Sequence, residues 1–152
     1  MSEDKRDEGA SDAEEQARIL LFEDDDTLAN LLARVLRTEG YRVDAFDTAE
    51  AVPSPAKVAR YDVVLSDMAP NTTGNRVTDQ TRSYELFLRA LAVAAKLGKI
   101  GGSFVGKIFM SDDLPAARAE VRRLYESERL IRPEGTRAGS MEIFVLGSGK
   151  SS

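Results

Sequence analysis

A short apolar run that stops on acidic residues and leads into an amphipathic helix most narrows the possible folds. It appears first as ARILLF at 17–22, bounded by EDDD. A run this short and this apolar reads as a strand buried on both faces, which belongs in a parallel sheet. Leu28, Leu31, Leu32, Val35 and Leu36 then recur at helical spacing and predict a helix whose stripe joins the core. Asp26 is placed to cap its start and Gly40 to stop it. YRVDAF at 41–46 and YDVVLS at 61–66 repeat the strand pattern, the second ending at Asp67. Between them, 48–60 reads as a weaker helix interrupted by Pro53 and Pro55.

The alternation continues. MAPNTTGNRVTDQT reads as a loop, 83–97 as a strong helix ended by Gly98, and GSFVGKIF at 102–109 as a fourth strand. An amphipathic helix follows at 115–127, with Pro115 tolerated in its first turn. The segments 129–133 and 141–146 read as two strands joined by the turn EGTRAGS, hence antiparallel. This order predicts a three-layer α/β sandwich of the Rossmann or flavodoxin type, with a mostly parallel sheet in strand order 2-1-3-4-6-5 and the last strand antiparallel. Ligands of such sheets sit beyond the carboxyl ends of the strands. The polar residues found there are Glu23, Asp24, Asp44, Asp47, Asp67 and Lys107.

Composition removes whole classes of chemistry. The 152 residues contain no Cys and no His, so disulfides, thiolate nucleophiles, imidazole bases and histidine metal ligands are excluded. Acid–base work falls to Asp, Glu, Lys or Tyr. No apolar run approaches the roughly 20 residues of a membrane span, nor is there the apolar core of a signal peptide, so a cytoplasmic protein is expected. The net charge of −5 is carried by residues 1–16, an acidic tail expected to be disordered. The remainder, 17–150, reads as one α/β domain. Its first part, 17–69, has net charge −4, and 70–152 has +4, which hints at nucleic acid on one face.

Two resemblances meet near the third strand. The stretch ARILLFEDDDTLANLLARVLRTEGYRVDAFDTAEAV, within 17–60, resembles a response-regulator receiver. That resemblance implies Mg²⁺ held by Glu23, Asp24 and Asp67, with Asp67 as phosphoacceptor and a histidine kinase as partner. Hard carboxylate oxygens suit such a metal. Downstream the receiver pattern fails: Pro70 lies three residues after Asp67 instead of four, and Lys107 stands where the family has Ser or Thr.

The stretch 61–150 resembles the FtsJ/RrmJ ribosomal-RNA 2′-O-ribose methyltransferases. The pieces are DVVLSDMAPNTTG, Asp79 before the long helix, GGSFVGKIF, RRLY and RPEGTRAGSMEIFVLGSG. The resemblance implies S-adenosylmethionine (SAM) as cofactor, rRNA or a ribosomal subunit as partner, and Asp67, Lys107 and Glu142 as three members of the family's Lys-Asp-Lys-Glu set. A ribose hydroxyl is a poor nucleophile, so it needs positioning and proton removal. A lysine amine can take that proton if its surroundings let it titrate, and carboxylates can orient it. Arg122, Arg123, Arg132 and Arg137, with Arg118 and Arg129, could grip RNA phosphates.

Two family features are missing. The first lysine has no counterpart in a matching motif, the nearest bases being Lys5, Arg6 and Arg18. The glycine-rich cofactor loop is replaced by EDDDT. Asp47, or Asp44, could meet the cofactor ribose, with Asp67 nearby. The sequence thus reads as a composite, a receiver-like half joined to a methyltransferase half, and as an incomplete or weakly active enzyme. A phosphoacceptor domain and a non-catalytic hybrid or designed scaffold are the alternatives.

Overall fold

The structure, a computed structural model, describes residues 16–52, 61–132 and 141–151. Its elements in chain order are β1 (Arg18–Phe22), α1 (Asp26–Thr38), β2 (Arg42–Phe46), a 3₁₀ turn (Ala49–Ala51), β3 (Tyr61–Ser66), α2 (Arg76–Leu97), β4 (Gly98–Phe109), α3 (Leu114–Leu124), β5 (Tyr125–Ile131) and β6 (Glu142–Lys150). The described strands form one sheet in the order β2-β1-β3-β4-β6-β5. The pairs β1–β2, β1–β3 and β3–β4 are parallel, and β6 runs antiparallel to both β4 and β5. The expected fold class, strand order and antiparallel last strand are all found. The acidic tail lies almost wholly outside the described residues, as do Arg137 and most of the weak helix expected over 48–60.

Strand alternation divides the apolar side chains between two faces. Leu20, Phe22, Val64, Phe104 and Ile108 pack with Phe87, Leu91 and Ala94 of α2 and with Val121 of α3. Ile19, Leu21 and Val43 pack on the other face with Ala33 of α1. The three layers follow from these two clusters. At the centre of the larger one, the Phe104 ring meets Phe87 edge-on at 5.4 Å and stacks with Tyr125 at 6.4 Å. Glycines make room for these rings. A Cβ on Gly106 would come within 2.6 Å of the Phe104 ring, and one on Gly147 within 2.8 Å of the Tyr125 ring. Gly147→Ala is therefore expected to cost about 1–3 kcal/mol through overpacking, read as a lower urea midpoint with unchanged slope.

Four local expectations are corrected. Helix α1 is capped by Asp25, not Asp26: the Asp25 side chain accepts from the Leu28 N–H at 3.0 Å. Its apolar stripe is only half buried. Leu32 and Leu36 pack against the sheet, whereas Leu28, Leu31 and Val35 are exposed. This helix covers β1 and β2 at the edge of the sheet, so only a narrow arc of its surface finds a partner. Helix α2 starts at Arg76, seven residues before its apolar pattern, because Asn75 caps it through the Thr78 N–H at 3.1 Å. Helix α3 stops at Leu124, and Tyr125 begins β5 by pairing with Lys150.

Candidate functional site

The register of the parallel strands assembles the site. Phe22 lies opposite Phe46 and Ser66, and Ser66 opposite Gly106. The next residue on each strand is therefore Asp47, Glu23, Asp67 or Lys107, a row across the carboxyl ends of four neighbouring strands. Backbone bonds hold the row: Glu23 N–H to Phe46 O at 3.1 Å and Asp67 N–H to Phe22 O at 2.9 Å. Glu142 arrives from the antiparallel neighbour, where β6 begins opposite Phe109.

Lys107 is the hub. Its Nζ lies 3.0 Å from Asp67 and 3.7 Å from Glu142. The three expected catalytic side chains are thus brought together. Burial pulls the Lys107 amine down, but the hydrogen bond and charge of Asp67, with the charges of Glu142 and Glu23, outweigh it, and its pKa is raised. At neutral pH Lys107 is an ammonium. It is a hydrogen-bond donor first, and it can take a proton only after passing its own to a neighbouring carboxylate.

Glu23, expected beside Asp67 as a metal ligand, is the buried member of the row. It is 4% exposed, and its carboxyl is pushed up to about 8 by burial and by the hydrogen bond and charge of Asp67. One carboxyl oxygen accepts from the Asp25 N–H at 3.1 Å, and the other is buried without a donor among the described residues. A protonated Glu23 resolves this, because its own O–H can then donate toward Asp67. An acid directly after a buried strand was the available signal, since burial without a cation favours the protonated form.

Supporting residues fix the strands. The buried Ser83 hydroxyl of α2 accepts from the Phe109 N–H at 2.9 Å, anchoring the end of the strand that carries Lys107. Ser83→Ala leaves that N–H unpaired and is expected to cost about 1–3 kcal/mol in urea unfolding. Asp79, also buried, accepts from the Thr73 N–H and hydroxyl, each at 2.9 Å. Those bonds, led by the backbone N–H, hold its pKa below the usual carboxylate range.

Other expected residues divide. Arg18 stands at the amino end of β1, opposite the site, where it lies 3.7 Å from Asp44. It therefore cannot replace the missing lysine, and Lys5 and Arg6 lie outside the described residues. Asp44 also accepts from the Tyr61 hydroxyl, which commits it to structure. Arg118 and Arg122 both bind Glu128, whose side chain is 3% exposed, at 2.7 and 3.0 Å. Arg123 pairs with Glu120 at 2.8 Å on the surface, and Arg132 donates to the Met110 sulfur at 3.1 Å. Exposed pairs are worth about 0–1 kcal/mol, so Arg123 and Arg132 can be recruited by phosphate more cheaply than Arg122.

The Mg²⁺ expectation finds no support. Among the described residues no group of three acidic side chains is placed to hold a metal ion. Glu23 is buried beside Asp67, whereas Asp24 is exposed and turns into a separate depression with Asp47, Thr48, Met68, Leu86 and Arg89.

That depression, at the switch between β1 and β3, is where SAM would sit in this type of sheet. The residues present do not fit it. The depression holds about 140 Å³, against at least ~300 Å³ for a typical small-molecule pocket. No glycine lies between Gly9 and Gly40 to bring backbone against a ligand. Among the described residues lining it, Asp24, Asp47 and Glu50 stand with one cation, Arg89, itself 3.7 Å from Glu50, where a cofactor carboxylate would need donors.

The sheet order, with its antiparallel last strand, and the Lys–carboxylate cluster at the strand ends define a Rossmann-like fold of the methyltransferase type. The sequence pattern described as FtsJ-like methyltransferase matches residues 9–150, so the chain belongs to that family. The match runs through 17–60, and neither the receiver segment nor the composite reading built on it finds support.

"Ribosomal RNA large subunit methyltransferase E" of Sorangium cellulosum is 63% identical over 92 residues, 60% of this chain and 43% of that protein. The protein of the same name from Myxococcus xanthus is 46% identical over 87 residues, 57% of this chain and 41% of that protein. The matched stretch thus spans under half the length of either relative. In fold, the chain resembles a Plasmodium falciparum protein described as a ribosomal RNA methyltransferase, with TM-score 0.68, 13% identity, and 96% and 93% of the two chains covered. Human methyltransferase-like protein 13 in complex with SAH gives TM-score 0.56 at 14% identity, covering 92% of this chain and 77% of that one. Among the described residues no helix is long and apolar enough to cross a membrane.

Proposed function

We propose that this chain carries the target-ribose side of an FtsJ-type RNA 2′-O-methyltransferase acting on large-subunit rRNA in the cytoplasm, with Asp67, Lys107 and Glu142 around the reacting hydroxyl. The observation that carries this reading is Lys107 held 3.0 Å from Asp67 and 3.7 Å from Glu142 at the strand ends. A ribose hydroxyl placed against Lys107 receives a hydrogen bond from the ammonium at its oxygen, which orients it and offsets developing charge. Its proton leaves to Lys107 Nζ once that amine has handed its own proton to Asp67 or Glu142. Arg123 and Arg132 then supply phosphate contacts. SAM is the methyl donor that family membership implies. With no glycine between Gly9 and Gly40 to bring backbone against it, transfer by this chain alone is expected to be slow.

The test is transfer of labelled methyl from saturating SAM to large-subunit rRNA, with the product located by alkali resistance at a ribose. Lys107→Ala is expected to lower the residual rate by at least about a hundredfold, the usual scale for removing one acid–base group. A rate that Lys107→Ala leaves unchanged, or a methyl found on a base, would overturn the reading.

A further inference from the structure

A second cavity, of about 330 Å³, opens beside the cluster. Its lining includes Arg76, Gln80, Phe109, Met141 and Glu142. We infer that this cavity is the subsite for the base of the target nucleotide, with Arg76 at its rim for a neighbouring phosphate; the inference rests on the function proposed above.

Three observations carry it. The first is position. Glu142 belongs to both the cavity and the Lys107 cluster, 3.7 Å from Nζ. A base in the cavity therefore places its own ribose against Lys107.

The second is chemistry. Phe109 and Met141 give an apolar wall, as a planar base requires. The Gln80 carboxamide donates from its nitrogen to Met110 O at 3.3 Å, and its oxygen accepts nothing among the described residues, which leaves an acceptor for a base edge. The two acids, Asp79 and Glu142, make the interior unsuitable for a phosphate. Asp79 is moreover committed to Thr73.

The third is Arg76. It is exposed at the start of α2 and has no ion-pair or hydrogen-bonding partner among the described residues, unlike Arg118, Arg122 and Arg123. A cation outside and an interior that combines an apolar wall with two acids, which admits no phosphate, match a nucleotide entering base first. The volume lies at the lower end of ~300–1,000 Å³ for small-ligand sites, enough for one base and part of its sugar.

The four methionines allow a direct test. With ¹³C-methyl methionine in the full chain and signals assigned by Met→Leu substitution, Met141 reports this cavity. Met68 reports the depression on the β1–β3 side. Each of the four nucleoside 5′-monophosphates, and ribose 5-phosphate as a probe without a base, is titrated to about 10 mM, where millimolar binding shows. At least one nucleotide is expected to shift the Met141 methyl saturably while Met68 stays still and ribose 5-phosphate moves neither. Arg76→Ala is expected to weaken that nucleotide about tenfold.

An equal Met141 shift with ribose 5-phosphate would mean an anion site and would overturn the proposal. A Met141 methyl unmoved by all four nucleotides would overturn it too. Failure of this subsite is separable from failure of the proposed function through the anisotropy of a labelled single-stranded RNA decamer. Binding that Lys107→Ala weakens while Met141 stays silent leaves the function and removes the subsite. No RNA binding at all removes both.

Discussion

Glu23→Gln is expected to make the protein more resistant to urea at alkaline pH than the parent, with little difference in mild acid. The carboxyl of Glu23 is raised from 4.5 to about 8 in the folded state, first by burial and then by Asp67. Between those two values the folded chain keeps a proton that the unfolded chain has released. The linked stability is therefore fully present below 4.5 and is lost as pH rises through about 8. The loss is on the order of a few kcal/mol, because every tenfold gain in proton affinity on folding is worth about 1.4 kcal/mol. Glutamine has no proton to lose, and it keeps both contacts: its oxygen can accept from the Asp25 N–H and its amide can donate toward Asp67. Urea midpoints of the two proteins at about pH 5 and about pH 9 isolate the effect, since other groups titrate in both. Parallel pH dependences in parent and variant would show that Glu23 is ionised throughout.

The same residue shows where sequence reading stops. The apolar runs and their acidic ends were legible, and with them the order of strands and the row Glu23, Asp67, Lys107. Local pattern determines a strand, and right-handed crossovers leave few ways to join parallel strands. The charge state of the row was not legible, because it depends on how deeply each side chain is sunk and which neighbour faces it. Glu23 and Asp24 are adjacent in sequence, yet one is buried against Asp67 and the other is exposed toward Asp47. A one-residue step at a strand end turns side chains to opposite sides, and an alternation rule for strands does not say how the following turn bends.

Helix α1 teaches a related lesson. The five-residue stripe identified the helix correctly but not its buried arc. Leu31 is 55% exposed and Val35 51%, while Ala33, which no hydrophobic count favours, is 3% exposed. A small residue lets the helix approach Ile19, Leu21 and Val43; Leu32 and Leu36 flank that contact, and Leu28, Leu31 and Val35 fall outside it. In α2 the misreading has another cause. Its first turns, RVTDQT, carry no apolar stripe because their anchors are polar: the Asn75 cap, Asp79 holding Thr73, and Ser83 holding Phe109. The arginines repeat the point, since a basic stretch in the sequence does not show that Glu128 already occupies Arg118 and Arg122.

Lys107→Met separates what the cluster does for stability from what it does for chemistry. The Lys107 and Asp67 side chains are only 14% and 18% exposed. Methionine fills the same space but leaves Asp67, Glu142 and Glu23 around an uncharged group. Removing one partner of such a largely buried pair costs about 3–5 kcal/mol, chiefly from the charge left behind. The single variant is therefore expected to lose roughly a third of a typical domain's stability margin and to stay folded. Lys107→Met combined with Asp67→Asn removes the stranded charge, so its unfolding midpoint is expected to return most of the way to the parent's. The coupling between the two sites, measured by the double-mutant cycle, should approach the cost of the single change. Methyl transfer should stay lost in both variants, because neither holds a cation against the ribose oxygen or an amine to take its proton. A double variant as unstable as Lys107→Met would locate the damage in packing around Gly106 and Ile108, not in charge. A stable double variant that still methylated RNA would show that the reacting hydroxyl is held somewhere other than this row of strand ends.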